Sequence, residues 1–487
     1  MKVFRTLAIS LLTLAVSSAA YSQEPFTAGT WKKVTAAPPS AVAHALLLTD
    51  GSVLVNSFFF STHTDSWYRL VPDNKGNYVN GTWSAAGAMP AGYNPLYYAS
   101  AVLPGGSVIV MGGEYNNGSA VWTTLGAMYH PKTNKWSHVN APANWTTVGD
   151  AQSVVLPNGK FMLANCCTTD EALLKITGTT FTWTATGAGK TDINDEEGWL
   201  LMSNGNLLTI DATNGANPST YEIYNTAAGT WTTPGSLPNQ LQDVGSSELG
   251  PMVLRPNGTV FAGGASINNA VYNTTTGVWT VAPKFGAGLD MADAPAALLP
   301  DGNVLLDTSP GVFNTGSKFF EWDGAALHSV PAPPQAGIDS SYVGNMVVLP
   351  SGQILFTDFS SDVEIYTPAG AACTGCAPTI SSVAATLTHG TLNNVVKGTQ
   401  FNGLSQGAMY GDDNQSATNF PLVRITNNAT GHVAFARTHS FSTMGVATGA
   451  LAVSAQFDVP AGIELGASKL QVVANGIAST SVAVTIN

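Results

Sequence analysis

The chain has 487 residues, and only 10% of them are charged, against about 25% in an average soluble domain. Its net charge of −12 at neutral pH argues against nucleic acid or an anionic membrane surface as a partner. Helical periodicity is nearly absent, and high Gly, Thr, Asn and Ser contents are typical of an extracellular all-β protein.

The first 22 residues have the pattern of a secretory signal peptide. Lys2 and Arg5 precede the apolar run Leu7–Val16, and small residues continue to Ser22. No later stretch of sequence is apolar for long enough to cross a membrane. We therefore expect a secreted or periplasmic protein that does not insert into a membrane, and we expect a monomer.

Residues 23–372 repeat one phrase seven times: an apolar run, a short turn ending in Gly, and a second apolar run. The turn glycines lie 44 to 55 residues apart. Each phrase predicts a hairpin in which Gly supplies a positive φ. A period of this length predicts a β-propeller with four-stranded, kelch-type blades. The glycines are Gly51, Gly106, Gly159, Gly205, Gly258, Gly302 and Gly352.

A tryptophan strand ends most of these units, and its distribution predicts how the ring closes. Trp31 precedes the first hairpin, whereas the seventh unit, around Gly352, has no such strand after Val363–Thr367. The strand of Trp31 is therefore expected to complete the last blade and to remove the exposed sheet edges. An open array of seven hairpins is the alternative.

The repeat ends at a short linker, residues 373–377, followed by a region of different character. Residues 378–487 contain short alternating strands, which predict an immunoglobulin-like β-sandwich. The fold prediction is thus an all-β chain in which a seven-bladed kelch-type β-propeller precedes that sandwich.

The four cysteines form two local pairs. Cys373 and Cys376 in the linker favour a small disulfide clip over a metal or redox site, because the chain is exported and lacks a βαβ context. Cys166 and Cys167 are adjacent in sequence. They either close a strained ring or remain thiols, and we treat them as a second candidate disulfide.

In a propeller, the first strand of each blade lines the central channel, and the starts of these strands open on one face. At this position four of the seven units carry a carboxylate and two carry Tyr, while the first has Val42 with His44 nearby. Converging carboxylates raise each other's pKa or bind a cation; the alternative is that they only solvate the channel mouth. The residues are Tyr97, Asp150, Glu196, Glu248, Asp293 and Tyr342, with Glu197 and Asp290 beside them.

A secreted seven-bladed kelch propeller with an immunoglobulin-like domain resembles the galactose oxidase and glyoxal oxidase family of copper-radical enzymes. The phrase beginning at Tyr97 is similar to one copper-binding phrase of that family, and Ser341-Tyr342 is similar to another. Thr438-His439 is similar to the Thr-His phrase that supplies a ligand from the C-terminal domain. The resemblance implies copper bound by Tyr97, Tyr342 and His439, with Tyr115 stacked over the site.

Two parts of the family's pattern are missing. Val343 follows Tyr342 where the family has a His, and no Cys lies near Val42 to form the cross-link to Tyr. His44 is the nearby histidine that would have to act as the fourth ligand. Without the Cys a thioether-linked Tyr radical cannot form, and replacing an imidazole by an isopropyl group lowers copper affinity.

The C-terminal region carries a second dense phrase. Asp412, Asp413, Arg424 and Arg437 hold much of its charge. We interpret them as an Asp–Arg network that braces the two domains, from which His439 could project up the channel.

Three functions remain open. The first is a galactose-oxidase-like protein that acts on a carbohydrate or a small alcohol or aldehyde, with copper as cofactor. The second is a non-catalytic protein that binds a glycan or cell-surface polymer. The third is a non-oxidative carbohydrate-active enzyme, a lyase or epimerase, that uses Asp, Glu and Tyr. The candidates are Tyr97, Tyr342, Asp150 and Glu196 for catalysis, Tyr115, Glu197, Glu248, Asp290 and Asp293 for substrate, and Tyr97, Tyr342, His439 and His44 for metal.

Overall fold

The computed structural model describes residues 26–58 and 66–487, so the expected signal peptide lies outside the described residues. Within them the chain is built from β-strands, with a single short 3-10 helix at Ser341–Val343. None of the described helical segments is long and apolar enough to cross a membrane.

Seven antiparallel sheets, six of four strands and one of five, form the blades in chain order, which confirms the all-β, seven-bladed propeller. In blades 1 to 4 the strands are, in sheet order, Val42–Leu47, Val53–Ser57, Trp67–Val71 and Thr82–Ala85; Ala99–Val102, Val108–Met111, Gly126–His130 and Lys135–His138; Ser153–Val155, Phe161–Ala164, Glu171–Thr177 and Thr180–Thr186; and Leu200–Leu201, Leu207–Ile210, Thr220–Asn225 and Thr230–Ser236.

Blades 5 to 7 continue the same order, and a small separate sheet lies beside blade 2. The strands of these blades are Met252–Leu254, Thr259–Ala262, Asn269–Asn273 and Val278–Ala282; Ala296–Leu298, Val304–Thr308, Lys318–Trp322 and Leu327–Val330; and Asn345–Val348, Ile354–Thr357, Glu364–Thr367 and Thr30–Lys33. The strands of the small sheet are Pro95–Leu96, Tyr115–Asn116 and Ser119–Ala120.

The ends of the propeller sequence meet in blade 7. Thr30–Lys33 pairs antiparallel with Glu364–Thr367, which places Trp31 opposite Tyr366. The Trp31 ring lies 4.9 Å from the Tyr366 ring and 5.3 Å from that of Phe319 in blade 6. Trp31 therefore fills the wedge between the last two blades and closes the ring by side-chain packing as well as by strand pairing.

The hairpin turns require glycine for two reasons. All seven turn glycines have φ between 77° and 91°, a region that residues with a Cβ atom rarely adopt. In addition, a Cβ on Gly51 would lie 2.6 Å from the Phe435 ring, and one on Gly106 would lie 2.8 Å from the Arg437 side chain. The sandwich therefore packs against the face of the propeller that carries the turns.

The C-terminal sandwich has its own apolar core, which includes Val396, Phe457 and Leu470. Val433–His439 pairs with Leu422–Asn427 on one side and with Ala452–Asp458 on the other, and so joins the two halves. The strands are Thr379–Ser382, Thr386–Leu387, Asn394–Thr399, Leu422–Asn427, Val433–His439, Ala452–Asp458, Gly466–Ala474, Ile477–Ala478 and Val482–Ile486.

One segment of the sandwich, residues 402–419, enters the central channel, and we call it the insert. Its strand Ala408–Met409 pairs with Ala296–Leu298, the inner strand of blade 6. The Gln406 side chain accepts a hydrogen bond from the Leu201 amide at 2.6 Å, and Ser100 donates to the Gln415 carbonyl at 3.0 Å. The insert thus contacts inner strands of several blades and carries its tip toward the strand-start face.

The expected network between Asp412, Asp413 and the two arginines does not form, because the arginines have other partners. Arg437 donates to the Gly105 carbonyl at 2.9 Å and pairs with Asp458 within the sandwich. Arg424 donates to Gln471 at 2.6 Å. Asp412 and Asp413 lie instead on the insert, because the chain between Asn394–Thr399 and Leu422–Asn427 runs into the channel.

Both cysteine pairs are bonded in the structure. Cys166 joins Cys167 and Cys373 joins Cys376, so no cysteine among the described residues is a free thiol.

Candidate functional site

A cavity of about 650 Å³ lies where the first strands of the blades begin. This is the face opposite the turn glycines and the sandwich. Seven carboxyl groups, six aromatic rings and one serine line it, and no basic side chain does so in the part of the chain that the structure describes. The lining residues are Glu114, Asp150, Glu196, Glu248, Asp293, Asp412, Asp413, Phe58, Tyr97, Tyr115, Phe313, Tyr342, Phe359 and Ser246.

The aromatic residues form a wall along part of the cavity. Tyr97 lies between Tyr115 and Phe359, with ring centroids 6.3 and 6.2 Å away. Phe58 stacks on Phe359 at 4.1 Å. Phe313 meets Tyr342 edge to face at 5.5 Å. The cavity therefore has an apolar surface next to its carboxyl groups.

The backbone at the cavity adopts strained conformations. Non-glycine residues of the lining have positive φ angles: 52° at Tyr97, 56° at Glu196, 47° at Asp293, 60° at Phe313 and 61° at Phe359. This conformation costs an L-residue about 1–2 kcal/mol. Strained residues persist where the surrounding structure forces them to, and they concentrate at functional sites. Their clustering here singles this cavity out.

Burial and mutual repulsion disfavour ionisation of the carboxyl groups. Burial raises the pKa of Asp150 to about 7, with further contributions from Asp195 and Glu114. Burial also raises the pKa of Asp293 to about 7. Glu248 has a pKa far above its usual range, because it is buried and faces both Asp293 and Glu196.

The sandwich contributes two carboxyl groups that sequence reasoning did not assign to the site. Asp412 and Asp413 are 4% and 1% exposed, and burial together with neighbouring carboxyl groups raises both pKa values. The Tyr410 hydroxyl donates to the Tyr342 carbonyl at 2.7 Å, which fixes the insert against the cavity wall. The repeat count could not locate these residues because they lie outside the propeller sequence; the only available signal was their density of charge.

His44 does not line the cavity. Its Nδ1 lies 2.9 Å from the Asn345 amide nitrogen, and its Nε2 lies 2.9 Å from the Ser100 hydroxyl. Burial lowers the pKa of His44 to about 3. Since Asn345 donates to Nδ1, the neutral ring carries its proton on Nε2. His44, the expected fourth metal ligand, is thus a neutral histidine, and both of its ring nitrogens are already hydrogen-bonded within the channel.

His439 lies near the opposite end of the propeller. Its Nε2 is 3.1 Å from Asp458, and its Nδ1 is 3.0 Å from Ser440. The Ser440 amide donates to the carbonyl of Pro104, in the turn of blade 2. The expectation that His439 reaches the channel mouth is therefore wrong, because its strand ends beside the turn face.

Glu197 and Asp290, expected to bind substrate, also lie outside the lining. Glu197 is buried in blade 4, where it pairs with Lys190 at 2.9 Å and accepts from Thr209 at 3.1 Å. Asp290 is bridged to Ser309 and accepts from the Ala292 amide at 3.2 Å. By contrast, the candidates that do line the cavity are Tyr97, Tyr115, Asp150, Glu196, Glu248, Asp293 and Tyr342.

The donor set that the described residues give the cavity does not fit copper. Tyr97 and Tyr342 are present, but both candidate histidines lie elsewhere, and the described lining offers oxygen donors without an imidazole or a thiolate. Imidazole and sulfur ligands suit copper, whereas carboxylate oxygens suit hard cations. Within the described residues, oxygens of Glu196, Asp293 and Asp412 lie within 4.8 Å of one another.

No protein-family model and no curated protein matches this sequence. Among solved structures, a fungal alcohol oxidase of the AA5 family, in complex with copper, is 14% identical with a TM-score of 0.53, over 95% of this chain and 99% of that chain. An inactive virginiamycin B lyase from Staphylococcus aureus with quinupristin is 10% identical with a TM-score of 0.49, over 70% of this chain and 99% of that one.

The extracellular domain of a putative hybrid two-component system from B. thetaiotaomicron is 8% identical with a TM-score of 0.49, over 95% of this chain and 59% of that one. At 14% identity, the likeness to the alcohol oxidase shows a common fold only. The chemistry has to be inferred from the residues of the site.

Proposed function

We propose that this chain is an exported carbohydrate-binding protein whose cavity takes a neutral or amino sugar. Export is supported by the sequence pattern of residues 1–22. Carbohydrate is supported by one observation, the aromatic wall beside a cluster of carboxyl groups.

A sugar ring presents an apolar C–H face and a rim of hydroxyl donors. Tyr97, Tyr115 and Phe359 provide ring faces for the apolar side. Glu114 and Asp150, on the same cavity, accept hydrogen bonds from hydroxyl groups. The cavity volume of about 650 Å³ is within the range of small-molecule sites.

The charge of the cavity restricts the kind of sugar. The described lining contains seven carboxyl groups and no basic residue, so a uronate or a sulfated sugar finds no cation to pair with and is repelled by those carboxyl groups that are ionised. A neutral sugar replaces solvent at these oxygens, and an amino sugar also gains a charge-assisted hydrogen bond. We therefore propose selection against acidic glycans.

A glycan array followed by calorimetric titration of the best ligand tests this function. Tyr115→Ala should weaken binding at least ten-fold, about 1.4 kcal/mol, because it removes part of the aromatic wall. Asp150→Asn should weaken an amino sugar more than a neutral one. Tyr68→Ala, a half-buried tyrosine in blade 1 outside the cavity, is the control and should bind normally.

Two results would contradict the proposal. Acidic glycans could bind best, or the copper-loaded protein could consume oxygen with an alcohol and yield peroxide. The first outcome would overturn the selection against acidic glycans, and the second would return the cavity to the oxidase class.

A further inference from the structure

Carboxyl groups from four distant parts of the chain converge at one side of the cavity. Glu196 precedes blade 4, Glu248 precedes blade 5, Asp293 precedes blade 6, and Asp412 comes from the insert. One oxygen each of Glu196, Asp293 and Asp412 lies within 4.8 Å of the other two. Such convergence alone is common in acidic proteins and does not define a site.

The second observation is Glu248, which is outside that triplet. Its side chain is 6% exposed, and its Oε2 has no hydrogen-bond donor among the described residues. It faces Glu196 and Asp293 at hydrogen-bonding range. Asp293 Oδ1 is also buried without a donor in the described part of the chain. Carboxyl groups that face one another in this way need either shared protons or a cation between them.

We propose that Glu196, Glu248, Asp293 and Asp412 bind one hard divalent cation of the calcium class. Four carboxylates supply up to eight oxygens, which is the coordination range of Ca²⁺. Ca²⁺ accepts variable arrangements of carboxylate oxygens, whereas Mg²⁺ demands a near-octahedral shell and keeps several waters. The cation also has a structural consequence, since it ties three blades of the propeller to the insert of the sandwich.

The site is assigned independently of the proposed sugar binding. Its test uses the metal alone, so a failure of sugar binding leaves the result of the cation titration unaffected. The full-length mature protein is treated with a chelator, dialysed into metal-free buffer, and titrated with CaCl₂ by calorimetry. Thermal unfolding is followed in parallel.

We expect one Ca²⁺ per chain and a rise of the melting temperature in Ca²⁺. Glu248→Gln and Asp412→Asn should each weaken binding at least ten-fold. These substitutions lie on different domains, so a folding failure of one leaves the other informative. The matched control is Asp211→Asn, in the buried acidic cluster of blade 4 that also brings three carboxyl groups within 4.8 Å; it should leave Ca²⁺ affinity unchanged.

The proposal is overturned if the wild-type protein shows neither heat nor stabilisation with CaCl₂. It is equally overturned if Glu248→Gln and Asp412→Asn bind Ca²⁺ as the wild type does, or if Asp211→Asn abolishes binding. Binding of Cu²⁺ at the same residues in preference to Ca²⁺ would also contradict it.

Discussion

The buried acidic cluster of blade 4 and the one at the channel mouth differ in how their charge is balanced. In blade 4, Lys190 Nζ lies 2.9 Å from Glu197 and 2.6 Å from Glu222, and all three side chains are almost fully buried. At the channel mouth, Glu248 and Asp293 face each other, and no basic side chain lines that cavity in the described chain.

The neighbouring groups differ in the same way. In blade 4, Thr209 donates to Glu197 at 3.1 Å, and Thr191 donates to Glu222 at 2.9 Å. The group of Lys190, Glu197 and Glu222 is therefore balanced by its own ion pairs, although Asp211 Oδ1 beside it has no donor among the described residues. The cluster at the cavity has carboxyl oxygens without donors among the described residues. The difference teaches that carboxylate density alone does not mark a ligand site; the channel mouth differs because its carboxyl groups lack an internal counter-charge and also line a cavity.

The largest loss of stability should come from removing the buried ammonium group of Lys190. Lys190→Met leaves Glu197 and Glu222 buried without their ion pair, which typically costs about 3–5 kcal/mol. Urea unfolding at neutral pH measures the loss. The exposed Lys160→Met is the control. A free energy of unfolding within about 0.5 kcal/mol of wild type would mean that Lys190 does not balance the buried charge of the blade 4 cluster, which would contradict the comparison.

Replacing one glutamate by glutamine should change the free energy of unfolding in opposite directions in the two clusters. Glu197→Gln should destabilise by about 1–3 kcal/mol, because it removes a hydrogen-bonded partner of a buried charge. Glu248→Gln in cation-free buffer should stabilise by about 1 kcal/mol, since it removes one of several facing carboxyl groups. Parallel unfolding curves compare them, and equal signs would refute the comparison.

Glu364 in blade 7 is a third kind of buried carboxyl group. It does not line the cavity at the channel mouth, and it forms no ion pair with a buried lysine in the described chain. Burial, followed by Asp358 and Asp362, raises its pKa to about 9. The folded state then keeps a proton that the unfolded state releases above the ordinary glutamate pKa of 4.5. The contribution of Glu364 to stability should therefore fall as pH rises from 4.5 towards 9.

Glu364→Gln removes this titration. We expect the variant to match wild type near pH 4.5 and to be more stable by at least about 1 kcal/mol near pH 9. Unfolding curves across that range measure it, with the exposed Asp170→Asn as the control. A variant that is less stable than wild type at high pH would show that the Glu364 charge is compensated.

The smallest effect concerns backbone strain. Phe313 is 46% exposed with φ of 60°, so Phe313→Gly should change stability by no more than about 1 kcal/mol, in the stabilising direction. The same variant should bind sugar more weakly, because the ring contacts Tyr342. Ile338→Ser, at another exposed apolar position, is the control for both measurements. Tighter sugar binding by Phe313→Gly would show that the Phe313 ring does not contribute to sugar binding.

The fold was largely readable from sequence because the propeller is periodic. The turn glycines mark each hairpin, and counting back from them locates Tyr97, Asp150, Glu196 and Asp293, all of which line the cavity. Neighbouring residues are harder to assign, because the sequence pattern does not show a local left-handed conformation such as the φ of 56° at Glu196. Glu197 follows Glu196 directly in sequence, yet its side chain turns into blade 4 and pairs with Lys190.

The remaining cavity residues depend on features without a period. Glu114 directly precedes Tyr115–Asn116, the second strand of the small sheet beside blade 2, and Phe359 lies on the loop after Ile354–Thr357. Asp412 and Asp413 enter from another domain, so their position depends on a contact between distant parts of the chain. His439 was misplaced for the same reason: a two-residue phrase does not determine at which end of the propeller its strand will end.

The difference between the two clusters can be measured directly by anomalous diffraction from crystals of the protein grown with Mn²⁺, a hard divalent cation. We predict a peak between Glu196, Asp293 and Asp412, and none beside Lys190. A peak in the blade 4 cluster together with none at the channel mouth would contradict the account.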